Sequence, residues 1–222
     1  MKGKIRAIIT GTTGMVGEGV LHECLMHPQV DTVLVINRKP CGVHHPKLIE
    51  IIHENFFDIT PIQDKLTGYN ACYFCMGVTS LGKKEPEYTQ LTHTLTLHIA
   101  EILSKQNPTM TFCYVSGAGT DSSEKGKRMW ARVKGKTEND LMKLPFKHVF
   151  AFRPGYIQPT DGLKNTQSFY SYLSWLFPIF QTLFQNYVST LTQVGLAMIH
   201  ATQHGYPKNI LEVKDINELA GI

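Results

Sequence analysis

The sequence predicts a single α/β domain: a doubly wound parallel sheet of about seven strands with a small helical C-terminal cap. Two observations carry that expectation. Short, nearly all-apolar runs rich in β-branched residues alternate with longer helical stretches, the pattern of parallel strands covered on both faces by crossover helices. Between the first run and the first helix lies a turn holding Gly11, Gly14 and Gly17. A length of 222 residues suits one core. Residues 1–222 are therefore expected to form one unit, with 165–205 as a helical cap or lid.

Each element follows from its residues. Arg6-Ala7-Ile8-Ile9 reads as a buried first strand, and the stretch after the glycine turn as a helix through Met26. Thr32–Ile36, Leu48–Ile52 and Ala71–Cys75 read as the next three strands. A helix is expected from Glu87 to Ser104, ending before Pro108, because proline cannot continue the hydrogen-bond ladder. Thr111–Val115 is the fifth strand and Trp130–Leu144 a further helix. His148–Phe152 is the sixth strand, stopped by Pro154-Gly155. Beyond Ser168 the chain reads as helical and aromatic-rich, and Ile210–Val213 as a last strand.

The stretch Thr10-Gly11-Thr12-Thr13-Gly14-Met15-Val16-Gly17 has the spacing G-x-x-G-x-x-G. One glycine permits a sharp turn, one lets backbone approach a pyrophosphate, and one lets the helix pack on the strand. The helix N-terminus then offers free N–H groups and about half a positive charge to phosphates. Placed after a first strand and opening a helix, this turn marks a Rossmann fold and a bound dinucleotide. The residues assigned to its phosphates are Gly11, Thr13, Gly14, Met15 and Val16. At the end of the second strand, where NAD binders usually carry a carboxylate, stand Asn37 and Arg38. A guanidinium pairs with a 2′-phosphate through charge-assisted bonds that a carboxylate would oppose. The expected ligand is therefore NADP(H), with NAD(H) less favoured.

Composition excludes other classes. Hydrophobic residues make up 42% and charged residues 18%, an ordinary globular balance. A net charge of +4 with no long basic tract does not call for nucleic acid. Five cysteines, an odd number, and an N-terminus that runs from Met1 to Ile5 into an apolar strand point to free thiols and a cytoplasmic protein without a signal peptide. Phe169–Val188 is broken by Ser171, Ser174, Pro178, Gln181 and Gln185. It therefore lacks the run of about 18 apolar residues that a membrane span needs. Cys72-x-x-Cys75 falls on a strand, where residues three apart face opposite sides, so it is read as buried thiols. No histidine spacing indicates a metal site.

Several later motifs fall in the order of one family. Phe57-Asp58-Ile59 follows the third strand and Cys75-Met76-Gly77-Val78-Thr79 closes the fourth. Val115-Ser116-Gly117-Ala118 closes the fifth and Arg153-Pro154-Gly155-Tyr156 the sixth. With the glycine turn, these motifs make the chain resemble an atypical short-chain dehydrogenase/reductase. It is most similar to the NAD(P)-binding group of NmrA-like regulators, Tat-interacting-protein-like oxidoreductases and small nucleoside-sugar-epimerase relatives. The resemblance covers residues 5–160 well and the rest loosely. It implies that Asp58 and Ile59 meet the adenine and that Cys75, Met76 and Gly77 line its ribose. It also implies that Pro154 and Gly155 meet the nicotinamide and that Ser116 is the catalytic serine.

One position departs from that family. Its Tyr-x-x-x-Lys pair appears here as Trp130-Ala131-Arg132-Val133-Lys134. Lys134 remains, to bind the nicotinamide ribose, but an indole N–H is no proton shuttle near neutral pH. Losing a positioned acid–base group forfeits about 10²–10⁴ in rate. Tyr156 is the replacement donor taken into the catalytic set with Ser116 and Lys134, and Tyr88 and His93 are further candidates. Phe169–Val188 reads as a lid over an apolar substrate, a dimer face or plain core. Monomer and homodimer both stay open. The leading function is an NADP(H)-dependent oxidoreductase on a small carbonyl or alcohol. A non-catalytic NADP(H) sensor is the alternative. A sugar-nucleotide epimerase comes third, since it too needs the shuttle and the chain leaves little substrate domain.

Overall fold

The computed structural model describes residues 3–160, 162–165 and 187–221. Its centre is a seven-stranded sheet in the order β3-β2-β1-β4-β5-β6-β9. The strands are β1 (Ile5–Thr10), β2 (Val30–Asn37), β3 (Leu48–Ile52), β4 (Ala71–Phe74), β5 (Thr111–Val115), β6 (His148–Arg153) and β9 (Ile210–Glu212). Every neighbouring pair is parallel. The expected doubly wound α/β sheet of seven strands is borne out. Strand order reverses between β1 and β4, and the glycine turn leaves the C-terminal end of β1 at that switch point, where ligands settle in open α/β sheets.

Alternation along β1 shows why both faces must be covered. Ile5, Ala7 and Ile9 enter one apolar core, and Ile8 enters the other. The first core is roofed by α1 (Met15–Met26), α5 (Leu191–His204) and α6 (Val213–Leu219), through Leu21, Val194, Met198 and Ile216. The second is covered by a 3₁₀ turn (Thr60–Leu66), α3 (Leu95–Gln106) and α4 (Met129–Leu141), through Leu66, Ile99, Leu103 and Leu141. A short helix α2 (Glu85–Thr89), with Pro86 in its first turn, runs through a π-helical turn (Gln90–Thr94) into α3. The helix expected from Glu87 thus begins two residues earlier, because proline is tolerated in a first turn whose N–H groups lack helical partners.

The expected cap is corrected in part. Residues 166–186 lie outside the described residues, and with them most of the Phe169–Val188 stretch. Leu191–His204, counted in the cap, is instead a layer of the core against α1. The two helices approach closely because Gly19 faces Leu191 and Gly195 faces Glu23; a Cβ at Gly195 would lie 2.6 Å from Glu23 Cγ. Thr190 and Gln193 close a reciprocal cap at the start of α5, with bonds of 3.0 and 2.8 Å. A small second sheet, β7 (Tyr156–Gln158) with β8 (Val188–Thr190), was not expected, nor was α6. Val213, expected to end the last strand, opens α6 instead.

Candidate functional site

The glycine turn is built by close approach. Gly11 has φ +76°, and a Cβ there would sit 2.8 Å from the Cys75 carbonyl and the Met76 nitrogen. A Cβ at Gly17 would lie 2.2 Å from the Gly11 oxygen, so the first turn of α1 rests directly on the loop. Gly14 is different. Its nearest neighbour would be 3.4 Å away, and its exposed face opens on a cleft of about 250 Å³ lined by Gly11, Thr13 and Gly14 on this side. Met15 and Val16 open α1, half-buried, with Val16 packed on the core.

Across the cleft stand Ile36, Asn37, Arg38 and Phe56, and the end of β4 supplies Cys75, Met76 and Gly77. Eight of the sequence-expected residues, Gly11, Thr13, Gly14, Asn37, Arg38, Cys75, Met76 and Gly77, are thus brought to one cavity. Arg38 is exposed. Asn37 is 3% exposed, and its amide accepts from Thr12 Oγ1 at 2.9 Å and donates to Glu50 Oε1 at 2.9 Å. Its side chain ties the glycine turn to β3 beneath the wall of the cleft. Asp58 and Ile59 are not among the described residues lining the cavity. Asp58 is exposed and accepts from the Thr60 N–H at 3.1 Å; hydrogen bonding by the Thr60 side chain, then by its backbone, holds the carboxyl below the usual value. Ile59 is buried in the core. Phe56 stands where those two were expected, and its place two residues before Asp58 was the signal available for it.

Along the same C-terminal edge of the sheet, past β5 and β6, stand Ser116, Lys134 and the Pro154–Tyr156 turn. Ser116 follows β5, 5% exposed, and its hydroxyl lies between two acceptors, Glu138 Oε1 at 2.5 Å and the Phe152 carbonyl at 3.2 Å. A serine has one proton to donate, so the hydroxyl is committed inward. Lys134 donates to the Ser116 carbonyl, and burial holds its ammonium below the usual value while Glu138 pulls it up. Glu138, 1% exposed, is gripped by Arg153 through Nε at 3.0 Å and Nη2 at 2.5 Å. Arg153 also reaches Ser122 and Glu212. Sequence reasoning missed this buried pair. Its one trace was Glu138 standing four positions after Lys134, one helical turn along the same face.

The three candidate proton donors fare differently. Tyr156 is half-buried, with its hydroxyl 3.3 Å from Gln158 Oε1, and its N–H donates to the Tyr187 carbonyl at 3.0 Å. Gly155 allows that approach, since a Cβ there would meet the Tyr187 oxygen at 2.3 Å. Pro154 accepts from the Ala118 N–H at 2.9 Å, joining the turn to the loop after β5. Tyr88 is 1% exposed, and burial raises its hydroxyl above the usual pKa. His93 pairs with Asp140 at 2.8 Å beside a separate surface hollow, which removes it from the site. Trp130 starts α4 half-buried, its ring beside Gly119. All five cysteines are free, and among the described residues no group of three ligating side chains could hold a metal ion.

The sheet order and the glycine turn at the switch point define a Rossmann fold. The resemblance read from the sequence fits the proteins to which the chain is similar. No protein-family model matches the chain. It is 28% identical over 155 residues to "Protein fmp52-1, mitochondrial" of Aspergillus oryzae, covering 67% of this chain and 64% of that one. It is 25% identical over 154 residues to "Protein FMP52, mitochondrial" of Saccharomyces cerevisiae, covering 68% and 65%. The match thus spans just under two thirds of those relatives. Among solved structures, the Bordetella bronchiseptica enzyme WbmG in complex with NAD has a TM-score of 0.70 at 13% identity, covering 98% of this chain and 77% of that one. A short chain dehydrogenase family protein from Francisella tularensis has a TM-score of 0.64 at 14% identity, covering 91% and 93%. The expected cytoplasmic location is overturned, because the curated relatives are named as mitochondrial proteins. Among the described residues no helix is long and apolar enough to cross a membrane.

Proposed function

We propose that the chain binds NADP(H) in the cleft at the switch point and serves as an oxidoreductase on a small carbonyl or alcohol. The observation that supports this is one cavity running from the open face of Gly14 to Arg38. The residues fit the ligand. The N–H groups of Thr13, Met15 and Val16, at and just before the start of α1, would hold the pyrophosphate. Ile36, Phe56 and Met76 offer an apolar slot for the adenine, and Arg38 a guanidinium for the 2′-phosphate. NAD(H) is the lesser ligand, since Asn37 and Arg38 stand where a carboxylate would be needed to accept from a ribose hydroxyl. When bound, the dinucleotide supplies or accepts the hydride. Lys134 and the Pro154-Gly155 turn would orient its nicotinamide end, with Ser116 and Tyr156 beside the reacting atoms. Seven of the nine described strands share one sheet, which supports reading the chain as one domain.

The test is a titration of purified protein with NADPH and NADH, followed by nucleotide fluorescence. NADPH is expected to bind saturably and more tightly than NADH. Arg38→Ala should weaken NADPH about ten- to hundredfold, the worth of one charge-assisted contact. NADH should change little. Equal losses for both would refute the role of Arg38, and no saturable uptake of either would overturn the whole reading.

A second reading, NADP(H) binding without turnover, is favoured by one specific arrangement. Trp130 replaces the shuttle residue, and the Ser116 proton is directed to Glu138 and away from a substrate carbonyl. A protein that binds NADPH tightly yet oxidises it with no aldehyde or ketone across a broad panel would be this sensor.

A further inference from the structure

One carboxylate next to the cleft has no part in the reading above. Glu50 lies in the middle of β3, opposite Val35 of β2. Its Oε1 accepts two hydrogen bonds, from Asn37 Nδ2 at 2.9 Å and from the Cys41 N–H at 2.8 Å. Those donors flank Arg38-Lys39-Pro40, so a single oxygen ties both ends of the loop that carries Arg38. Asn37 is tied from its other side as well, to Thr12 in the glycine turn at 2.9 Å. Burial pushes the Glu50 carboxyl up, and the hydrogen bonds from Asn37 and Cys41 outweigh it, holding it below its usual value.

We propose that Glu50 is the positioning residue for 2′-phosphate recognition: it pins the Arg38 loop and thereby sets the preference for the phosphorylated over the plain dinucleotide. This rests on the reading of the cleft as an NADP(H) site. An exposed arginine loses side-chain and loop freedom when it grips a phosphate, and a loop already held in place loses less. The charge of Glu50 works the other way, since a carboxylate near a phosphate is unfavourable. Its contribution therefore lies in the acceptor oxygen, and the two effects separate by substitution. Glu50→Gln keeps an acceptor for both N–H groups and removes the charge. Glu50→Val keeps a strand-compatible side chain and removes the acceptor.

Both variants are titrated with NADPH and NADH in parallel, by nucleotide fluorescence. Glu50→Val should weaken NADPH about tenfold, the loss of two partly exposed hydrogen bonds, and NADH less than about twofold. Glu50→Gln should hold NADPH within about twofold of wild type or tighten it. Retained NADH binding in Glu50→Val shows that the fold is intact. Cys41→Pro, which deletes one of the two N–H donors and leaves the carboxylate in place, should give a smaller selective loss of NADPH. An unmoved NADPH to NADH preference in Glu50→Val or in Cys41→Pro, or a Glu50→Gln that behaves like Glu50→Val, overturns the assignment. The two failures are distinguishable. Wild-type protein that takes up neither dinucleotide sinks the NADP(H) reading, whereas a wild-type preference that survives Glu50→Val sinks only the role of Glu50.

Discussion

Trp130 and Ser116 are the residues on which the proposed chemistry turns, and they were unequally visible. Trp130 stands four positions before Lys134 on α4, so the loss of a shuttle could be read from the sequence. The direction of the Ser116 hydroxyl could not. It depends on Glu138, 22 positions away, being held by Arg153 from β6, a juxtaposition that no local spacing encodes. Restoring the shuttle is the test at this scale. Trp130→Tyr is expected to raise NADPH oxidation with small aldehydes about 10²-fold, the lower end for general acid–base catalysis because Ser116 stays committed inward. Steady-state kinetics measures it. An unchanged rate in a variant that still binds NADPH would mean that the proton comes from another group.

Among the elements, α4 shows how a helix is shaped by what it must touch. Gly135 sits in its middle, where glycine costs about 1 kcal/mol relative to alanine. The structure supplies the reason: a Cβ there would lie 1.9 Å from the Asp121 carbonyl oxygen, and Asp121 in turn donates to the Ala131 carbonyl at 3.0 Å. The loop after β5 thus lies directly on α4. Gly135→Ala should destabilise the protein by about 1–3 kcal/mol despite its better helix propensity, because overcrowding outweighs the gain. Denaturant unfolding measures the change, and equal or higher stability would show that the loop yields freely. The strands were legible because each is a continuous apolar run that only a doubly covered sheet can bury. The short strands β7 and β8 were not, since three residues have too little pattern and form by pairing with a partner some thirty positions away. The helix α6 was hidden for a similar reason. It starts on a cap between Glu212 and Asp215, and Asp215 is steadied by Lys208 and Tyr206 from the preceding turn.

For the whole molecule, the switch point matters most. A ligand there would touch the ends of β1, β2 and β4 and the start of α1, which belong to both halves of the sheet. NADPH should therefore raise the unfolding temperature of the entire chain in one transition. At a hundredfold excess over Kd the added stability is about 2.7 kcal/mol. Differential scanning fluorimetry reads it out; a transition that does not move with saturating NADPH would place the ligand elsewhere or nowhere. The covering layers were only half foreseen at this scale. Leu191–His204 has the apolar residues of a cap and those of a core helix alike. Its place beside α1 follows from two close contacts, Gly19 against Leu191 and Gly195 against Glu23, which only the folded sheet brings together.

The sequence by itself determined the doubly wound sheet, the glycine turn at the end of β1 and the positive charge after β2. All three are local: buried runs, glycine spacing and a single side chain at a strand end act through neighbours in the chain. Tertiary structure alone decided that Asn37 is spent on Thr12 and Glu50, that Phe56 rather than Asp58 walls the cleft, and that Ser116 points at Glu138. A side chain has few bonds to give, and which partner takes them depends on distances that only the completed fold brings within about 3 Å.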